Sequence, residues 1–323
     1  MMELLEVINL SVTFETDDGI FKAVDDVSFH IGTGEIVGLV GESGCGKSVT
    51  ALSILRLIPS PPGRIEEGGI FFHGKDVLRL DTREMRKIRG RGISMIFQEP
   101  SAALSPLHRI GHQMIENILF HQKISRKEAC NISEKWLTAV KIADAGERMF
   151  SYPFQLSGGM QQRIMIAMAL MLGPDLVIAD EPTTALDVTI QAQVFELIRE
   201  MRQKYSSILL ITHDMGVIWE MCDRVIVMYA SRIAEEGNLA DIFSKPAHPY
   251  TRGLLGSIPK LTGVPERLKT IHGQVPSPFQ YSSGCHFRDR CPHAFDRCQA
   301  ERPSLFDVGK GHRSACFLAE KGI

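Results

Sequence analysis

The chain has 323 residues, room for one large α/β domain with an appendage or for two modest domains. Lys and Arg (36) nearly balance Asp and Glu (38), and a formal net charge of −2 gives no basic excess to favour nucleic acid as the main partner. No apolar run approaches the ~18–20 residues that span a bilayer. The opening MMELLEVINL carries acids where a secretory signal would carry bases, so a cytosolic setting is expected, in which stable disulfides are uncommon.

In chain order, the first informative stretch is EIVGLVGESGCGKSVTALSILRLI, residues 35–58. Ile36 to Val40 read as a buried parallel strand, then come Gly41-x-x-x-x-Gly46-Lys47-Ser48 and apolar residues at helical spacing. Strand, glycine loop and helix are the context that a phosphate loop requires. The backbone from Ser43 through Gly44, Cys45, Gly46, Lys47 and Ser48 to Val49 is expected to turn N–H groups onto phosphates, helped by the positive helix start. Lys47 would reach the β- and γ-phosphates and the Ser48 hydroxyl would ligate Mg²⁺. Cys45 reads as a tolerated small residue, not a catalytic thiol.

From about 99 to 155 strand signals vanish and the pattern turns helical. DLVIADEPTTALD, residues 175–187, restores a buried strand from Leu176 to Ala179 that ends in Asp180 and Glu181. A carboxylate at such a strand end suits Asp180 for Mg²⁺, and Glu181 would polarise an attacking water. Ile190, Val194, Leu197, Ile198 and Met201 form one helical stripe, which predicts core packing. Ile208 to Ile211 read as a further strand, with His213 after it. A short helix is expected over 248–259, begun and ended near prolines, followed by a linker holding Pro259, Pro265, Pro276 and Pro278.

The last tenth, GCHFRDRCPHAFDRCQAERPSLFDVGKGHRSAC, holds four of the seven cysteines: Cys285, Cys291, Cys298 and Cys316. Their spacing contains no short zinc knuckle and matches no simple ferredoxin pattern, so spacing alone leaves an iron–sulfur cluster, zinc and free thiols all open. Cys130 and Cys222 sit in helical patterns and read as packing residues.

LSGGMQQR, residues 156–163, resembles the signature of the ATP-binding-cassette (ABC) ATPases. Gln98 in MIFQEP is similar to that family's Q-loop, Asp187 to its D-loop and His213 in LLITHD to its switch histidine. Phe14 in LSVTF is similar to the aromatic that stacks on adenine. The resemblance covers roughly residues 4–245. It implies an α/β phosphate-loop cassette with a RecA-like core, a β-subdomain and a helical subdomain at about 99–170, binding ATP and Mg²⁺. It also implies that Glu181, His213 and Gln98 serve catalysis and that Ser48, Gln98 and Asp180 face Mg²⁺. Ser157, Gly158 and Gly159, expected just before a helix from Met160 to Leu172, would cap the γ-phosphate of ATP held by a partner subunit, with Asp187 nearby. Hydrolysis would then need a dimer.

IFQEPSAALSPLHRIGHQ and KPAHPYTRGLLGSIP resemble ATPase subunits of dipeptide and oligopeptide importers. That branch implies residues 1–258 as the ATPase domain, and 259–323 as a linker with a small Cys-rich C-terminal extension. The resemblance further implies that Cys285, Cys291, Cys298 and Cys316 hold a [4Fe–4S] cluster, the expected core of a tail with few strands or helices. The ATP site is expected to lie wholly outside that tail. Implied partners are a second homologous ATPase subunit forming a heterodimer, two transmembrane permease subunits and an extracytoplasmic solute-binding protein, with no nucleic acid. The implied place is peripheral, on the cytoplasmic face of the membrane. An importer of nickel or another solute is the alternative. A soluble ABC ATPase of DNA repair or translation would need a long coiled-coil insertion or a second cassette, and neither is visible.

Overall fold

The computed structural model describes residues 3–183, 188–203, 206–258 and 270–320. They fall into two compact units, one of Leu5–Ile31, Ile36–Leu78 and Ile211–Ile323, the other of Met1–Leu4, Gly32–Glu35 and Arg79–Leu210.

The first of these units carries an antiparallel sheet in the order Gly19–Gly32, Glu3–Thr16, Gly63–Phe72, Lys75–Asp76. Alternation along Glu3–Thr16 buries Leu5 and Val7, then Leu10 and Val12. The change of parity is absorbed by an irregularity between Ile8 and Ser11, where Asn9 takes a left-handed φ of 48°. Without that bulge the second pair would face water.

The same unit contributes five strands of a second sheet, in the order Phe306–Gly309, His312–Ser314, Arg232–Asn238, Arg224–Tyr229, Ile36–Val40. Ile36–Val40 runs parallel to Arg224–Tyr229 and is buried at all five residues, as its unbroken apolar run predicts. Arg224–Tyr229 returns antiparallel as Arg232–Asn238 through Ala230 and Ser231, both at positive φ, the backbone sense of a tight two-residue hairpin. The helix Pro249–Gly256 lies within the predicted span 248–259. Pro259 and Pro265 of the expected linker lie outside the described residues.

The expectation of a tail with few regular elements is corrected. His312–Ser314 pairs antiparallel with Arg232–Asn238, Phe306–Gly309 pairs with it in turn, and short helices span Asp296–Ala300 and Phe317–Glu320. Phe287 and Phe317 are buried, so the tail has apolar core of its own and shares a sheet with the phosphate-loop strand. Strands of three and four residues are too short for periodicity to reveal.

In the other unit, Ile93–Ile96 pairs parallel with Leu176–Asp180, and Ser207–Ile211 is next in the sheet order. The regular elements between 99 and 155 are helical, chiefly Ile110–His121 and Arg126–Ala139. A capping box of Ser125 and Glu128 starts the second of these. In the helix Val188–Gln203, Val194 and Ile198 are buried, as the stripe predicts, with Ile190 and Leu197 half-buried. Phe195, which the stripe omits, is buried too, while the Met201 side chain lies outside the described residues.

Candidate functional site

The glycine loop follows the buried strand directly. Gly41 has φ +156°, and a Cβ there would stand 2.2 Å from the Met228 carbonyl oxygen. Gly46 has φ +104°, and its Cβ would stand 2.4 Å from the Ala23 carbonyl oxygen. Both positions therefore need glycine for space as well as for conformation. The helix Lys47–Ile54 begins at Gly46 with no side-chain cap, so its first N–H groups are available to an anion. Lys47 is buried, its ammonium donating to the carbonyls of Gly41 (2.7 Å) and Glu42 (3.0 Å). Cys45 is fully buried, and burial pushes its thiol up against the pull of Lys47, which agrees with a packing role. Ser43 and Gly44 are exposed, while Ser48 and Val49 are half-buried.

Four residues around this loop went unmarked in the sequence. The Glu42 N–H donates to the Tyr250 hydroxyl at 2.9 Å, and the Glu42 carboxylate takes a two-pronged ion pair from Arg290 of the Cys-rich tail. Tyr229 packs against Tyr250 with ring centroids 4.7 Å apart. No local pattern could have found the pairing of Glu42 with Arg290, which lies 248 residues away.

The acid and signature residues gather in the other unit. Asp180 is buried at the end of its strand. Glu181 follows with φ 46°, a strained left-handed conformation for a residue with a side chain, of the kind that persists at functional turns. The exposed Gln98 amide donates to the Glu181 carboxylate at 3.3 Å, bringing together two residues that the sequence reading places in catalysis. The signature helix runs Gly158–Leu170, two residues ahead of its expected span, with Ser157 as N-cap accepting from the Met160 N–H at 3.4 Å. Ser157 and Gly158 are exposed, and a Cβ on Gly158 would meet nothing within 4 Å, so the helix start is open.

The remaining polar signature residues are structural. The Gln161 amide donates to the carbonyls of Pro153 and Leu156 and holds the preceding loop. The fully buried Gln162 amide donates to the Pro182 carbonyl just beyond Glu181. Arg163 reaches the Lys141 carbonyl at 2.7 Å.

His213 is exposed in the turn before the helix Met215–Met221, whose N-cap is Asp214. Phe14 is half-buried and stacked on Phe21 at 5.8 Å, and Phe21 meets Phe279 edge-on at 5.1 Å. The sequence reading marked only the first ring of this row. Asp187 lies outside the described residues.

Cys285, Cys291, Cys298 and Cys316 all line one narrow cavity, walled by Phe287, Phe295 and Phe317. Burial, with repulsion from the other three sulfurs, pushes the Cys285 thiol up to about 11. Burial raises Cys291 and Cys316 as well. Among the described residues no group of three or more His, Cys, Asp or Glu side chains could hold a metal ion. The expectation of a metal-binding group at Cys285, Cys291, Cys298 and Cys316 therefore finds no support among the described residues.

Residues 24–184 match the family described as ABC transporter, and residues 234–298 the one described as oligopeptide/dipeptide transporter, C-terminal region. The chain is 49% identical to the oligopeptide transport ATP-binding protein AppD of Bacillus subtilis, over 99% of this chain and 98% of that one. It is 48% identical to a probable peptide ABC transporter ATP-binding protein, y4tR, of Sinorhizobium fredii, over 99% and 96%. To the oligopeptide transport ATP-binding protein OppD of Escherichia coli it is 46% identical, over 97% and 93%. Among solved structures it resembles the ATP-binding cassette MJ0796, determined as a dimer in a post-hydrolysis state with ADP and phosphate. That match has a TM-score of 0.66 at 27% identity, covering 73% of this chain and 98% of that one. The phosphate-loop α/β architecture, the ordered motifs and near full-length identity agree, and the chain belongs to the ABC transporter family, among the ATP-binding proteins of oligopeptide and dipeptide transport.

Proposed function

We propose that this chain is the ATP-hydrolysing subunit of an importer of dipeptides or oligopeptides, driving membrane-embedded permease subunits. The observation that carries this reading is one chain holding both matched regions in order, with the phosphate loop ahead and the peptide-transporter region behind. Residues 1–258 act as the ATPase domain, with a helical subdomain at about 99–170, and 259–323 as linker and Cys-rich segment.

Lys47 and the N–H groups from Ser43 to Val49 hold the β- and γ-phosphates, and Phe14 stacks on adenine. Ser48, Asp180 and Gln98 are hard oxygen donors that suit Mg²⁺, which supplies charge neutralisation on the phosphates when bound. Glu181 accepts a proton from the attacking water, Gln98 orients that carboxylate, and His213 contacts the γ-phosphate. The open helix start at Ser157, Gly158 and Gly159, with Asp187, serves the nucleotide of a second, homologous ATPase subunit in a head-to-tail heterodimer. The complex sits on the cytoplasmic face of the membrane and receives solute from an extracytoplasmic binding protein.

Cys285, Cys291, Cys298 and Cys316 hold a [4Fe–4S] cluster. What supports this is a set of four cysteines lining one aromatic-walled cavity. The cluster would supply positive iron centres to four thiolates, of which Cys298 is buried and the other three half-buried. Anaerobically purified protein should contain about four irons and four sulfides per chain, and stoichiometric zinc without iron overturns the assignment.

The transport reading is tested in vesicles holding the assembled complex. Peptides presented by the binding protein should raise ATP hydrolysis and accumulate inside. Stimulation by nickel or a sugar, with none by peptides, contradicts it.

A further inference from the structure

We propose that Arg290 is a positioning residue of the nucleotide loop: carried on the Cys-rich tail, it neutralises Glu42 and so makes the tail a working part of ATP binding. This rests on the reading that residues 41–48 hold the phosphates.

Glu42 poses a physical problem. A carboxylate inside a loop that cradles phosphates repels them, and unit charges a few ångströms apart in a partly desolvated site interact strongly. Its two oxygens are held by Arg290, with Nη1 to Oε2 at 2.5 Å and Nη2 to Oε1 at 3.0 Å, the fork geometry that only arginine offers. The Arg290 side chain is 5% exposed and Glu42 31%. The guanidinium lies over the rings of Tyr229 and Phe287 and also donates to the carbonyls of His272 and Gly273. Held on these sides, Arg290 is fixed in the fold and keeps the carboxylate with it.

The remaining handles of Glu42 complete the connection. Its N–H is held by the fully buried Tyr250, and its carbonyl holds the Lys47 ammonium. One loop residue thus joins the phosphate-binding lysine on one side to the tail on the other. A second strut stands alongside: a ring nitrogen of His286 lies 2.7 Å from the Ala230 carbonyl, and the neighbouring Ser231 N–H donates to the Cys45 carbonyl at 3.1 Å. The tail thus touches the glycine loop, where the sequence leads us to expect the ATP site to lie wholly outside it.

The test is ATP affinity of the full-length chain, read by titration with a fluorescent ATP analogue, beside thermal melting. Arg290→Ala uncovers the carboxylate and should weaken binding about tenfold at low salt, and less at high salt. Adding Glu42→Gln to Arg290→Ala should restore affinity to within about twofold of wild type, because the uncovered charge is gone. Wild-type affinity in Arg290→Ala, or a double variant as weak as the single one, overturns the proposal. Glu42→Asp asks the same question without touching the interior: the shorter acid keeps its charge, leaves the fork's reach and should bind ATP several-fold more weakly. Unchanged affinity there overturns the proposal even if Arg290→Ala fails to fold. Lys47→Ala separates the underlying reading, since wild-type ATP binding in that variant removes the loop assignment itself.

Discussion

The phosphate loop and the acid-and-signature end are built differently. At the loop, Lys47 is buried between two carbonyls, Thr50 is bonded back to the Gly46 carbonyl, and Glu42 is held by Tyr250 and Arg290. At the other end Gln98, Ser157 and Gly158 are exposed, the Gln98–Glu181 contact is long at 3.3 Å, and the Ser157 cap is longer still at 3.4 Å. The loop is held in shape by contacts within the chain itself. On the proposed reading, a second subunit completes this exposed surface. If the proposed function holds, turnover should respond to assembly.

The sharpest way to separate the two regions is Glu181→Gln. It should lower turnover in the assembled transporter by about 10²–10⁴-fold while leaving ATP affinity unchanged, and steady-state hydrolysis with parallel titration checks both. A smaller effect is expected behind the loop. Glu235 is fully buried, accepting from His312 and from the N–H groups of Ala247 and His248, where the helix bearing Tyr250 begins. Burial pulls its carboxyl upward, but His312, Thr251 and those N–H groups outweigh it and hold the group below its usual range. Glu235→Ala should cost about 3–5 kcal/mol of stability in chemical denaturation, because buried donors lose their acceptor.

Acid should attack the same support. Burial, against the opposing charge of Glu235, lowers His248 from 6.5 to about 4, so it stays neutral in the fold. The unfolded chain takes up a proton below pH 6.5, so this contribution is complete above 6.5 and is lost as pH falls toward 4. The loss should reach roughly 3 kcal/mol in denaturation at stepped pH, and His248→Asn, which keeps an N-cap acceptor, should flatten that limb. The smallest effect belongs to Phe14→Ala. With Phe21 still beside it, loss of one ring should weaken ATP binding by about threefold to tenfold, measurable by titration.

The contrast between regions also explains what the sequence could reveal. Ile36–Val40, Leu176–Ala179 and Ile208–Ile211 are continuous apolar runs, and the phosphate loop is contiguous, so spacing alone locates them. Resemblance placed Gln98 in catalysis and picked out Ser157. The support under the loop is different in kind. Arg290 meets Glu42, His312 meets Glu235 and Phe279 meets Phe21, contacts made only when the tail folds back. No periodicity encodes such pairings, and the tail's strands are too short to announce themselves. The bulge at Asn9 was hidden for a similar reason, since a change of parity looks like a broken pattern until both halves share one face.

The central claim is that ATP binding is built into this chain while hydrolysis is completed by assembly. It is tested by titrating ATP and measuring turnover on the same full-length protein, first dilute and alone, then assembled with its permease and partner ATPase. The account predicts an ATP affinity that changes little between the two states and a turnover that rises by an order of magnitude or more on assembly. Full turnover in the dilute chain, or ATP binding that appears only on assembly, would contradict it.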